Sequence, residues 1–133
     1  MKAVIPILAL PALLSACASP TSRTAARSQL DLRVSAQIAQ QVRRCYRAPR
    51  IPSAARAIVT RLLVRYGPDG VPVGLPLLVG QQGVTPETRP FAVRMTEAAR
   101  LAVLQCSPVR LPAEKGDEGT SDFYLTFSPT RRV

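Results

Sequence analysis

Residues 57–71, AIVTRLLVRYGPDGV, are rich in β-branched and other apolar side chains, carry two arginines four residues apart, and then stop at a glycine- and proline-rich turn. On an extended chain, positions 58, 60, 62, 64 and 66 share one face, whereas Arg61 and Arg65 share the other. This alternation predicts a half-buried strand. The segment Gly67-Pro68-Asp69-Gly70 is a strong turn signal, so a second strand is expected directly after it.

The second strand is predicted over Val71–Val79, and it contains Pro72 and Pro76 on one face. Proline has no N–H group to donate to a β-ladder, so this strand is expected at a sheet edge or with irregular pairing. Residues 81–88 are polar and predict a loop.

Helical periodicity precedes and follows these strands. Residues 31–46 repeat apolar side chains at steps of three or four, and Pro49 and Pro52 end that segment. A second helix is predicted after Thr88, with Pro90 in its first turn, and residues 121–128 alternate again as a third strand. The order α-β-β-α-β predicts an α+β domain over residues 31–129, with a small antiparallel three-stranded sheet and both helices on one face. Residues 130–133 form a basic tail.

The N-terminal segment predicts export. Met1 and Lys2 precede the apolar run Ala3–Leu14, which is shorter than the roughly 20 residues of a membrane span, so residues 1–16 are interpreted as a signal peptide. Leu14-Ser15-Ala16-Cys17 resembles the bacterial lipobox, whose cysteine is acylated. This resemblance implies a lipid on Cys17, and a plain signal peptide with an incidental cysteine is the alternative. The small polar residues 17–30 are expected to form a flexible tether.

Composition limits the possible functions. The formal net charge is +10 and histidine is absent, so neither an imidazole metal ligand nor a histidine base is available. No nucleophile–base pair, metal cluster or phosphate-binding loop is visible, so we expect no catalytic residue, cofactor, metal or small-molecule substrate. A basic surface is compatible with nucleic acid, anionic lipid or an acidic protein, and the alternative is a solvated surface with no single role. The predicted export argues against nucleic acid.

Two further cysteines, Cys45 and Cys106, lie within the predicted domain. An even number of cysteines in an exported domain predicts a disulfide bond. Two buried free thiols are the alternative.

Four segments, taken in order, resemble the C-terminal domains of the TolA/TonB family, and TolA most closely. They are the helix ending in Cys45-Tyr46, the strand and turn over 62–71, the helix and proline-rich segment over 98–112, and the closing strand over 125–129. Val109 stands where that family has phenylalanine. The resemblance implies the fold. It does not imply energy transduction, because the inner-membrane helix and long spacer of those proteins are not recognised here.

The family resemblance implies a non-catalytic module that binds other cell-envelope proteins, Tol–Pal-type components included. An extended partner segment would add to a sheet edge, and Tyr124 and Thr126 on the last strand are the candidate partner-binding residues. The alternative is that loops cover both edges of the sheet. The expected location is the periplasm, with the lipid in the outer membrane rather than the inner one, since Ala18 rather than aspartate follows Cys17. The alternative is a structural outer-membrane lipoprotein whose basic surface contacts anionic lipid or lipopolysaccharide.

Overall fold

The computed structural model describes residues 20–116 and 119–130 of the chain. Two long helices and three strands make up the domain, in the predicted order. They are α1 (Pro20–Arg43), β1 (Val59–Tyr66), β2 (Leu77–Gln82), α2 (Arg89–Gln105) and β3 (Ser121–Phe127), with a short helix α3 at Ala113–Gly116 and a 3-10 turn at Ser53–Ala57.

The sheet has the strand order β2-β1-β3, and both pairings are antiparallel. The predicted alternation is confirmed. In β1 the buried positions are 60, 62, 64 and 66, and in β3 they are the three residues Phe123, Leu125 and Phe127. The α+β fold with a three-stranded antiparallel sheet and two helices is therefore confirmed.

Both long helices contribute to one core on the buried face of the sheet. Helix α1 supplies Val34, Ile38 and Val42, which are spaced by four residues and are almost completely buried. Helix α2 contributes several small residues, and these allow its backbone to approach the sheet closely; its buried side chains are Ala92, Met95, Thr96, Ala99, Ala102 and Val103. Every buried hydrophobic side chain described lies between Val34 and Phe127, so a chain that begins at residue 20 keeps all of these described core residues.

Helix α1 begins earlier than expected. The predicted start was residue 31, with a flexible tether before it, but the described part of that tether, from Pro20 to Leu30, is helical. Extending a helix that is already anchored by packing adds one hydrogen bond for each residue ordered, and Ala25 and Ala26 favour the helix. Residues 21–29 are all exposed. They form a helical projection beyond the core rather than part of it.

Strand β2 is shifted along the chain relative to the prediction. It covers Leu77–Gln82 rather than Val71–Val79, and it takes in residues that were expected to form a loop. Pro72 makes only an isolated bridge to Tyr66, and Gly74 has a positive φ of 76°, so the segment before Leu77 does not continue the ladder.

The side chain of Gln81 explains why the strand continues into that polar segment. Its Nε2 lies 2.9 Å from the Thr60 hydroxyl, 2.8 Å from the Ala92 carbonyl oxygen and 3.0 Å from the Thr96 hydroxyl. The amide thus links β2 to β1 and α2 beneath the sheet, and the buried polar groups satisfy one another.

Candidate binding site at the open sheet edge

Strand β3 is one of the two outer strands of the sheet, because β1 lies between it and β2. Tyr124 and Thr126 both lie on the exposed face of β3, opposite Leu63 and Arg61 of β1. The structure thus places the two sequence-predicted residues together, on a strand that has a neighbour on one side only.

The direction of the main-chain groups of β3 follows from one hydrogen bond. The Arg65 carbonyl accepts a hydrogen bond of 2.7 Å from the Val73 N–H, so Arg65 directs its main-chain groups towards the β2 side. Main-chain groups alternate in direction along a strand, so Leu62 and Val64 direct theirs towards β3. Their register partners in β3 are Leu125 and Phe123.

The remaining β3 residues therefore direct their N–H and C=O groups away from β1. These residues are Asp122, Tyr124 and Thr126, which we call the β3 edge. Among the described residues, no main-chain group outside β1 bonds to them. The β3 edge can accept an added strand, and Tyr124 and Thr126 supply two of its three residues.

An arginine fixes the ring of Tyr124. The guanidinium carbon of Arg61 lies 4.3 Å from the centroid of the Tyr124 ring, a cation–π contact across the exposed face of the sheet. Tyr124 remains about half exposed. An aromatic side chain that is held in place and half exposed can contact a partner with little loss of side-chain entropy.

Asp122 at the start of the β3 edge is paired with Arg65. The Arg65 Nε donates to one carboxylate oxygen at 2.7 Å and its terminal nitrogen donates to the other at 3.0 Å. This hydrogen bonding, aided by the charge of the guanidinium, holds the pKa of Asp122 below its usual value and raises that of Arg65. Both side chains are largely exposed, so the pair orients the strand end more than it stabilises the fold.

Two clefts lie mainly over β1 and the β2 side of the sheet, and each reaches β3 through a single residue. One, of about 490 Å³, is lined by residues of all three strands; they are Val59, Arg61, Val79, Gly80, Gln81, Gln82 and Thr126. A smaller one, of about 140 Å³, lies between apolar side chains and the Arg65–Asp122 pair.

Ser128 follows β3 directly, and its main-chain carbonyl accepts a hydrogen bond of 3.1 Å from the Tyr46 hydroxyl. The Tyr46 ring packs against Phe127 with centroids 5.2 Å apart, and burial raises the pKa of Tyr46 to about 12. Tyr46 thus fixes the end of the strand. The sequence did not reveal this contact, because its partner is a main-chain atom 82 residues away.

The other edge of the sheet, on β2, is irregular. The β1–β2 register shifts between Arg61 and Leu62, which leaves Val79 without a partner. Leu77, Leu78 and Val79 are exposed. A bulge interrupts the regular row of main-chain groups that an added strand needs, so β3 offers the better edge.

The predicted disulfide is present. Cys45 and Cys106 are bonded, with a Cα–Cα distance of 5.7 Å, and they join the chain just after α1 to the end of α2. Cys17, the predicted site of lipid attachment, lies outside the described residues. Within the described ranges, no group of three or more potential metal ligands occurs, and no helix is long and apolar enough to cross a membrane.

No family model, no curated protein and no solved structure matches this chain.

Proposed function

We propose that this protein is a non-catalytic lipoprotein of the bacterial cell envelope, anchored through Cys17, whose domain resembles the C-terminal domain of TolA. The domain binds an extended segment of another envelope protein, which adds to the sheet at the β3 edge. Its place is the periplasm, at the outer membrane, and its partners include Tol–Pal-type components.

The main support for this proposal is the direction of the main-chain groups at Tyr124 and Thr126. An outward row of N–H and C=O groups can pair with an extended chain of almost any sequence. The Arg61–Tyr124 contact and the Tyr46–Ser128 hydrogen bond hold the strand in place before a partner arrives. Preorganisation of this kind lowers the entropy cost of binding.

Affinity capture with a matched pair of variants tests the proposal. Residues 20–133, with the disulfide formed, are immobilised and exposed to envelope extract of the source bacterium. Thr126→Pro removes an outward N–H but no hydrogen bond to β1, and proline restricts the preceding Leu125 to the extended conformation it already has. Thr126→Val keeps the N–H and nearly the same side-chain shape.

The proposal expects one envelope protein to be captured by the unmodified domain and by Thr126→Val, and lost with Thr126→Pro. Circular dichroism must show that the proline variant remains folded. A second variant, Tyr124→Lys, places a charge at the same edge and is expected to weaken capture as well. Undiminished capture by folded Thr126→Pro would exclude strand addition at β3.

A further inference from the structure

The segment that follows α1 is unusually rich in arginine. Five arginines occur within residues 43–56, and no aspartate or glutamate occurs between Asp31 and Asp69. All five side chains are exposed, and they are Arg43, Arg44, Arg47, Arg50 and Arg56. Because no acidic residue is interspersed, their positive charges add locally.

This segment lines two neighbouring cavities. The larger has a volume of about 430 Å³ and is lined by Arg43, Arg44, Tyr46, Arg47 and Ala48; we call it the arginine cavity. The second, of about 250 Å³, includes Arg50 and Arg56 in its lining. The arginine cavity is open to solvent and is large enough to admit a phosphate group.

The backbone beneath the arginine cavity is held at three points. Cys45 is tied to Cys106 by the disulfide, and the buried Tyr46 is hydrogen-bonded to Ser128. The Gln41 side chain, in the last turn of α1, accepts a hydrogen bond of 2.7 Å from the Arg110 N–H and donates one of 3.1 Å to the Arg110 carbonyl. The arginines therefore project from a fixed base, unlike those of a free tail.

Other arginines of the domain have partners within the fold. Arg65 pairs with Asp122, Arg61 lies over the ring of Tyr124, and the Arg100 Nε donates to the Pro76 carbonyl at 3.0 Å. In contrast, Arg44 and Arg47 form no ion pair with any residue of the described ranges. Their hydrogen-bond donors are available to a ligand.

We propose that the arginine cavity binds a phosphate group, carried by a soluble phosphate compound or by a lipid headgroup. A phosphomonoester carries a charge of about −1.5 to −2 and three acceptor oxygens, so it can accept bidentate hydrogen bonds from two guanidinium groups. A carboxylate has one charge and is satisfied by a single arginine. The negative end of the α1 dipole opposes an anion here, but it amounts to about half a charge against two or more full positive charges.

This site is separate from the β3 edge and does not depend on strand addition. The test compares Arg44→Gln/Arg47→Gln with Arg23→Gln/Arg27→Gln in residues 20–133. Both double variants lose two positive charges from exposed positions, but Arg23 and Arg27 lie on the projecting first turns of α1. Binding of inorganic phosphate, and of acetate as the carboxylate control, is measured by calorimetry at about 0.1 M ionic strength, where the Debye length is about 10 Å.

We expect phosphate to bind about tenfold more tightly than acetate. Arg44→Gln/Arg47→Gln should weaken phosphate binding about tenfold, since two charge-assisted contacts are lost. Arg23→Gln/Arg27→Gln should change it less than about twofold, because its charges lie more than a Debye length away. Equal losses in the two variants, or equal affinities for phosphate and acetate, would overturn the proposal.

A second arm distinguishes the sources of phosphate. The same three proteins are sedimented with phosphatidylcholine vesicles that do or do not contain phosphatidic acid. Binding to phosphatidic acid that is lost in Arg44→Gln/Arg47→Gln identifies a lipid headgroup, whereas binding of inorganic phosphate without vesicle binding identifies a soluble ligand. If neither inorganic phosphate nor phosphatidic acid binds, the arginine cavity is not a phosphate site.

Discussion

The hydroxyl of Tyr46, just beyond the end of α1, donates a hydrogen bond of 3.1 Å to the main-chain carbonyl of Ser128, just beyond the end of β3. This contact connects the two features proposed to be functional, because Tyr46 also lines the arginine cavity and Ser128 directly follows the strand that carries the β3 edge. Loss of this hydrogen bond should therefore loosen both the backbone beneath the arginine cavity and the end of β3.

The Tyr46 hydroxyl can be removed while its ring is kept. Tyr46→Phe should lower the free energy of unfolding by about 1 kcal/mol, the net contribution of one hydrogen bond, and lower the melting temperature by about 5 °C. Tyr124→Phe is the matched control, since that ring is exposed, and should leave both unchanged. Thermal unfolding followed by circular dichroism measures the difference. Equal melting temperatures for Tyr46→Phe and the unmodified domain would show that the bond contributes nothing.

The disulfide should contribute more to the free energy of unfolding than the Tyr46 hydrogen bond does. Its cysteines are 61 residues apart, and the chain-entropy model gives about 4 kcal/mol for a loop of that length. Urea unfolding should show that reductant lowers the free energy of unfolding by an amount of this order. Cys45→Ala/Cys106→Ala serves as the control, because its stability should be low and independent of reductant. A reductant effect below about 1 kcal/mol would contradict this prediction.

Gly70 and Gly74 share the left-handed backbone conformation, but only at Gly70 would a Cβ atom clash with a neighbour. Substituting each by alanine therefore distinguishes the loss of stability due to backbone strain from that due to a steric clash. Gly70 and Gly74 have φ of 77° and 76°. A Cβ at Gly70 would lie 1.9 Å from the Val109 carbonyl oxygen, whereas one at Gly74 would meet nothing within 4 Å. Gly74→Ala should therefore cost about 1–2 kcal/mol, the ordinary penalty of the left-handed conformation.

Gly70→Ala should cost clearly more than Gly74→Ala, because the Val109 N–H also donates to the Gly70 carbonyl at 2.9 Å and the two segments cannot simply move apart. Denaturant unfolding of the two variants measures the difference between their free energies of unfolding. Equal losses of unfolding free energy in the two variants would contradict this prediction, because they would show that the turn and Val109 move apart without loss of stability.

The Arg65–Asp122 pair predicts a specific dependence of stability on pH. The pKa of Asp122 is lower in the folded protein than in the unfolded chain, where it is about 3.9. The ion pair therefore stabilises the fold fully above the unfolded-state pKa, and this stabilisation is lost as the pH falls through the folded-state pKa. The melting temperature of the unmodified domain should exceed that of Asp122→Asn slightly at pH 7. The difference should shrink below about pH 4. Subtracting the pH profile of the melting temperature of Asp122→Asn from that of the unmodified domain removes the effect of the other carboxylates. A difference in melting temperature that stays constant down to pH 2 would be inconsistent with this pairing.

The parts of the fold that were predictable are those in which one periodicity applies along a whole element. Buried positions alternate along β1 and β3, and Pro90 marks the beginning of α2, so these elements lie within about two residues of their predicted bounds. The exposure of Tyr124 and Thr126 follows from the same alternation. The strand order, which determines that β3 has a free edge, depends on long-range pairing that sequence periodicity does not encode.

The failures have local physical causes. The apolar sequence from Val71 onwards predicted a strand, but its prolines and the left-handed Gly74 break the ladder until Leu77. Gln81 was interpreted as a loop residue because its three buried hydrogen-bond partners lie on other elements. The helical residues 20–30 carry no apolar stripe, so they gave no periodic signal.

The most direct test of strand addition at the β3 edge is residue-resolved amide hydrogen exchange of the ¹⁵N-labelled domain, alone and with the envelope protein that it captures. In the free domain, the amides of Phe123 and Leu125 should exchange slowly, because they bond to β1, and those of Tyr124 and Thr126 should exchange rapidly. When the partner binds, Tyr124 and Thr126 should become protected. A partner that binds while these two amides remain in rapid exchange would contradict the proposed function.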